Sequence, residues 1–176
     1  MPVQVSPLLN EESSNLIIQQ IKDAFNVKLT ELDNQYSDGI SLEPLDDQNI
    51  YISDKFENLG MPAVFVLFGT MAFNYTDKQN YLDATNECVI VVSGQDVGAD
   101  VLTKKMWRYA RVIYSALNLV ELKSADGRLE IKLIPRRLGY SDTKITGKLP
   151  QEEQKFRQDC ILELDIMHFE NNLTDI

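Results

Sequence analysis

Residues 86–118 read NECVIVVSGQDVGADVLTKKMWRYARVIYSALN, and the fold turns on this stretch. Cys88, Val89, Ile90, Val91 and Val92 are apolar at five consecutive positions, which predicts a strand covered by protein on both faces. Ser93 to Gly98 then predicts a turn. Gly94 and Gly98 suit positive-φ backbone, and Asp96 suits a helix N-cap. From Ala99 to Asn118 the period becomes helical. At about 100° per residue, Leu102, Met106, Tyr109, Ala110, Ile113 and Leu117 share one stripe, with Lys104, Arg108, Arg111 and Ser115 opposite. One helix face is built for a sheet, and the other is basic on an acidic chain.

Working outward, residues 10–26 predict a first helix. Asn10 can cap it, Glu11 and Glu12 suit the positive end of its dipole, and Ile17, Ile21, Ala24 and Phe25 share a face. Beyond Asn26, Val27-Lys28-Leu29-Thr30 alternates like a strand, and residues 33–47 are rich in loop formers. Ile50-Tyr51-Ile52 predicts a short strand and Ala63 to Phe73 a long one. The link from Asn74 to Thr85 favours antiparallel pairing, since a parallel crossover takes about a dozen residues or more, usually a helix. Ala125-Asp126-Gly127 predicts a turn, and 128–135 a strand with Leu129, Ile131 and Leu133 on one face. Residues 139–158 are polar and aperiodic, the pattern of a long exposed loop. In the last strand, 159–169, Cys160, Leu162, Leu164, Ile166 and His168 point one way, Glu163 and Asp165 the other. The expected fold is α+β, a mostly antiparallel sheet packed against two main helices. It would form one domain over 1–176, loose at 1–9 and 171–176.

Composition narrows the function. Seventeen basic and 27 acidic side chains leave a net charge of −10, and such a surface repels nucleic acid. Cys88 and Cys160 sit in apolar strands, as buried free thiols do. One histidine and no CxxC give no metal-ligand spacing, and no cofactor motif is present. The first residues lack the basic and apolar regions of a signal peptide, and no apolar run nears the roughly 18–20 residues of a membrane helix. A protein made and used in a cytosol, or in something assembled there, is the expectation.

No constellation argues for catalysis. Gly94-Gln95-Asp96-Val97-Gly98 before a helix lacks the GxxxxGK[ST] pattern and sets Asp96 and Asp100 where a phosphate would sit. His168 lies on the apolar side of its strand with no nucleophile motif beside it. Glu163 and Asp165 share a polar face, but i, i+2 spacing is what any solvated strand gives. Trp107 lies about 110° from the centre of the apolar stripe, so it is either a rim tryptophan or an interface anchor. Lys104, Arg108 and Arg111 read equally as a solvated face or as a receiver for an acidic surface of a neighbouring copy.

Three stretches and their order carry a resemblance: 63–73 with 86–96, the helix 99–118 followed by Leu119-Val120, and the closing pair 128–139 with 159–169. Together, over about residues 14–170, they resemble the tail terminator (tail completion, head-to-tail joining) proteins of tailed bacteriophages. The resemblance is architectural, without a short motif. The loop 139–158 is long for that family, and 27–52 has no clear counterpart. It implies a non-enzymatic virion protein, a ring, hexameric in the family, at the head-proximal end of the tail tube. Implied partners are further copies of the chain, the tube protein, a sheath if the tail contracts, and the head connector or stopper. DNA would pass through without specific binding, and no membrane is involved. In such a ring Glu130, Glu163 and Asp165 are expected to face the channel. Lys104, Trp107, Arg108 and Arg111 are expected at a subunit or partner contact. A different neck or tail-tube protein is the first alternative, a small enzyme the second.

Overall fold

The computed structural model describes residues 9–53, 60–74, 81–146 and 154–171. Helix α1 (Leu9–Asp33) is followed by a loop, a single 3-10 turn at Asp47–Asn49 and the two-residue strand β1 (Ile50–Tyr51). Strands β2 (Ala63–Asn74) and β3 (Tyr81–Asp96) lead into α2 (Ala99–Leu117). Strands β4 (Glu121–Lys123), β5 (Leu129–Tyr140), β6 (Lys144–Thr146) and β7 (Lys155–Asn171) close the chain. One seven-stranded sheet has the order β1-β2-β3-β7-β5-β4, with β6 also pairing β7. Every pairing is antiparallel except β1 with β2. The α+β expectation therefore holds, as does antiparallel β2–β3.

The elements follow from side-chain spacing. Both helices lie on one face of the sheet. Ile17, Ile21 and Phe25 of α1 meet Leu102, Met106, Tyr109 and Ile113 of α2 over Ile90, Val92, Leu162 and Leu164. All are essentially excluded from water, and a Leu or Ile so buried contributes about 1.5–3 kcal/mol. The alternation of β5 and β7 puts Leu129, Ile131, Leu133, Cys160, Leu162, Leu164 and Ile166 under the helices. The opposite face of β2 and β3 carries a smaller apolar cluster of Ala63, Phe65 and Val91, where Tyr51 stacks on Phe65.

Several elements exceed their predicted bounds. Helix α1 runs on to Asp33, because Leu29 and Leu32 continue the buried stripe one turn at a time after Phe25. Lys28, which argued against this, reaches out to Glu31 at 2.9 Å. Ser93 to Asp96 is strand, not turn, and neither Gly94 nor Gly98 has positive φ. Gly94 serves a close approach instead: a Cβ there would sit 2.7 Å from the Met106 sulfur. Asp96 bonds the Gly98 amide at 3.0 Å but does not cap α2. Gly127, with φ of 70°, turns β4 into β5. The loop predicted at 139–158 is partly strand, since β5 runs to Tyr140, β6 forms, and β7 starts at Lys155. The middle of that loop, the outermost termini and the β2–β3 link at 75–80 lie outside the described residues.

Candidate interaction surface

Helix α2 organises the surface. Its outward residues meet the loop that follows α1, and the two build a shallow cleft of about 240 Å³ lined by Tyr36, Asp38, Lys104, Trp107, Arg108 and Arg111. All four residues singled out on this helix thus line one cleft. Trp107 is 55% exposed at its rim and Tyr36 40% exposed across from it. Large aromatic surface left in water beside cations is the composition of a contact anchor.

The four cationic and aromatic residues do not share one role. Arg108, expected on the outer face, is only 5% exposed. Its guanidinium pairs with Asp38, donates to the Ile40 carbonyl at 2.6 Å and lies 4.0 Å from the centre of the Tyr36 ring. It clamps the loop to the helix. The physical reason is reach: a long side chain at the edge of the stripe stays under a loop that supplies a carboxylate, a carbonyl and a ring face. Arg111 donates to the Tyr36 hydroxyl at 2.8 Å but stays exposed, and Lys104 is exposed without an ion pair among those described.

Sequence spacing missed Lys105, which is 7% exposed. Its ammonium bridges Glu43 at 2.6 Å and Asp96 at 2.9 Å, and the Tyr109 hydroxyl donates to the Glu43 backbone carbonyl at 3.0 Å. Burial alone would lower the Lys105 pKa; hydrogen bonds to Glu43 and Asp96 outweigh it and raise the pKa, so the amine stays charged. Burial opposes ionisation of the two carboxyls as well, and the Lys105 bonds still hold both below their usual range. This network walls a cleft of about 330 Å³ at the start of α2.

The open sheet face carries the other predicted residues. Glu130, Glu163 and Asp165 do share it, on neighbouring strands β5 and β7. Each has a cation beside it: Lys123 at 3.1 Å from Glu130, Arg136 at 3.1 Å from Asp165 and Arg137 at 3.8 Å from Glu163. Lys132 and Glu121 add a fourth cross-strand pair at 3.0 Å. This part of the face is a checkerboard of both signs, not an acidic wall.

The chain's charge lies elsewhere. Residues 1–60 hold eleven acidic and three basic side chains, a net −8, whereas residues 101–150 hold eleven basic and four acidic, a net +7. Beneath the helices, His168 is 1% exposed, bonded to the Ser13 hydroxyl at 2.8 Å, and burial pushes its pKa down to about 4. Cys88 and Cys160 are free and buried, their thiols pushed up to about 12. Among the described residues no group of His, Cys, Asp or Glu is placed to hold a metal ion, and no helix is long and apolar enough to cross a membrane.

No family model matches the chain, and no curated protein matches it. Among solved structures it is similar to a protein chain in the virion of a native gene transfer agent particle. The TM-score is 0.51 at 17% identity, over 92% of this chain and 99% of that one. The likeness is one of fold.

Proposed function

We propose that this chain is a non-enzymatic virion structural protein of the tailed-phage type and works as a tail terminator. In this reading it forms a ring, with six copies as the expected number, at the head-proximal end of the tail tube. The ring ends tube polymerisation and joins the tail to the head connector while DNA passes through. The observation that carries the reading is the end-to-end fold likeness to a chain of a virion particle, 92% of one and 99% of the other. The order of strands and the two helices on one sheet face support it from within the chain.

The site fits such work. The Trp107 cleft, with Lys104 and Arg111 exposed beside it, offers an aromatic anchor and free cations to a neighbouring copy, the tube or a sheath. The face bearing Glu130, Glu163 and Asp165 lines the channel. Its cross-strand pairs leave no net charge to hold phosphate, and exposed pairs of this kind cost DNA nothing as it slides.

Negative-stain imaging of the purified protein, alone and added to growing tail tubes, tests the reading. Rings that cap tubes at a fixed length support it. Long tubes grown from this protein alone would make it a tube protein instead. For the channel, changing both Glu163 and Asp165 to Lys shifts each subunit by +4. The assembled variant should retain DNA with a steep salt dependence and impair ejection, while the wild type lets DNA go. Equal DNA retention by both would remove that face from the channel.

A further inference from the structure

The two flanks of the sheet differ. Strand β2 pairs with β1 only at Val64 and Phe65, so its outer flank from Val66 to Asn74 has no strand partner among the described residues. From Ala63 to Asn74 it holds no charged residue and no proline. An apolar edge of this length joins other chains unless something is meant to occupy it. On the far flank, β4 covers β5 only from Glu130 to Lys132, and the Leu133 amide bonds the Val120 carbonyl. Beyond that, β5 is guarded by Pro135, Arg136 and a bulge, then offers Arg137 to Tyr140.

We propose that β2 of one copy pairs with the Arg137–Tyr140 segment of β5 in the next, so that the sheet runs on from subunit to subunit around the ring. This rests on the ring reading above and names its contact. Strand sense favours it. Three successive antiparallel pairings, β2–β3, β3–β7 and β7–β5, leave β2 and β5 running in opposite directions. A rotation about an axis along the strands preserves the sense of each copy, so the two edges meet antiparallel. Side chains match as well. Phe68 and Met71 on β2 lie half-buried on the helix-covered face, and Leu138 and Tyr140, 40% and 41% exposed, lie on that same face of β5. Joining the edges extends one apolar layer. On the opposite face, Gly69 leaves room beside the exposed Glu87 of β3. Arg137, 75% exposed and only loosely paired with Glu163, is the cation that the next copy brings there.

Two substitutions at exposed positions of the edge, Thr70→Lys and Ala72→Lys, test the contact by native mass measurement. A second arm introduces Thr70→Cys with Leu138→Cys and treats the assembly with a short bis-maleimide; the native thiols are buried and unreactive. The expected result is loss of the ring in the lysine variant, with its circular dichroism and melting unchanged, and a covalent ladder ending at the ring number in the cysteine variant. A ring that survives both lysines and yields no ladder overturns this contact while the ring itself stands. A wild-type chain that is monomeric at every concentration overturns the ring reading, and this contact falls with it.

Discussion

Lys104 and Lys105 are neighbours on one helix with opposite fates, and the same split separates Arg111 from Arg108. Lys105 and Arg108 are nearly excluded from water and bound to Glu43, Asp96, Asp38 and the Ile40 carbonyl. Lys104 and Arg111 stand in water beside Trp107. One pair of cations fastens the acidic loop after α1 onto the helix, and the other is left over for an outside partner. Neither residue type nor helical angle decides which is which. What decides is where a carboxylate from 62 to 70 residues away happens to land.

The comparison breaks most visibly at Lys105. Replacing it with Ala leaves two carboxylates facing one another near the start of α2, and breaking a buried pair by removing one partner costs about 3–5 kcal/mol. A loss near the lower end is expected, since Glu43 is half-exposed and regains water. Lys104→Ala should stay within about 0.5 kcal/mol of wild type. Urea unfolding measures both, and equal losses would mean that Lys105 is held no more firmly than its neighbour.

His168 sharpens the point, because burial there leads to the opposite charge state. Lys105 keeps its proton, having two carboxylates against it; His168 has a serine hydroxyl and stays neutral. With its pKa near 4 in the folded chain and an ordinary value of 6.5, the unfolded state binds the extra proton between those limits. Stability is full above about pH 6.5 and falls as pH drops, by about 3 kcal/mol once below pH 4. In His168→Gln that component of the pH slope should vanish, whatever the variant's absolute stability. A parallel slope in wild type and variant would show that the histidine titrates normally.

How much of this was legible in the sequence follows the same division. The stripe of α2 and the alternation of β7 are local patterns, and each of their apolar residues is buried where periodicity put it. Helix α1 was readable past Asn26 from Leu29 and Leu32, but Lys28 obscured it. The Trp107 cleft was half visible: its helix residues share a face, whereas Tyr36 and Asp38 come from a loop with no period to betray them. Arg108 could not be told from Arg111, because the loop that covers one and spares the other is fixed by long-range contacts. For the same reason the cations beside Glu130, Glu163 and Asp165 on β4 and β5 were overlooked. Opposite-strand partners are set by register, which one strand's sequence does not contain.

Arg108→Ala comes next in size, at about 2 kcal/mol. It removes a charge-assisted bond and a contact with the Tyr36 ring, but Asp38 is free to regain water. Hydrogen exchange over residues 36–43 should rise in this variant and stay unchanged in Arg111→Ala. Matching protection in the two would dissolve the distinction between clamp and free cation.

The smallest effect on folding should carry the largest effect on assembly. Lys104→Glu with Arg111→Glu alters two exposed side chains, so the melting curve should move by no more than about 0.5 kcal/mol in free-energy terms. Only the Arg111 bond to the exposed Tyr36 hydroxyl is lost. Yet the double reversal changes the cleft around Trp107 by −4, and a partner chosen for its negative charge then meets repulsion in place of attraction. Tube capping and ring formation should both weaken, and lowering the salt should widen the gap from wild type, since screening falls with ionic strength. Trp107→Ala should weaken the same binding with little dependence on salt, because it removes apolar surface and no charge. If both variants cap tubes as well as wild type at every salt concentration, the cleft is solvated surface and the exposed tryptophan has no partner.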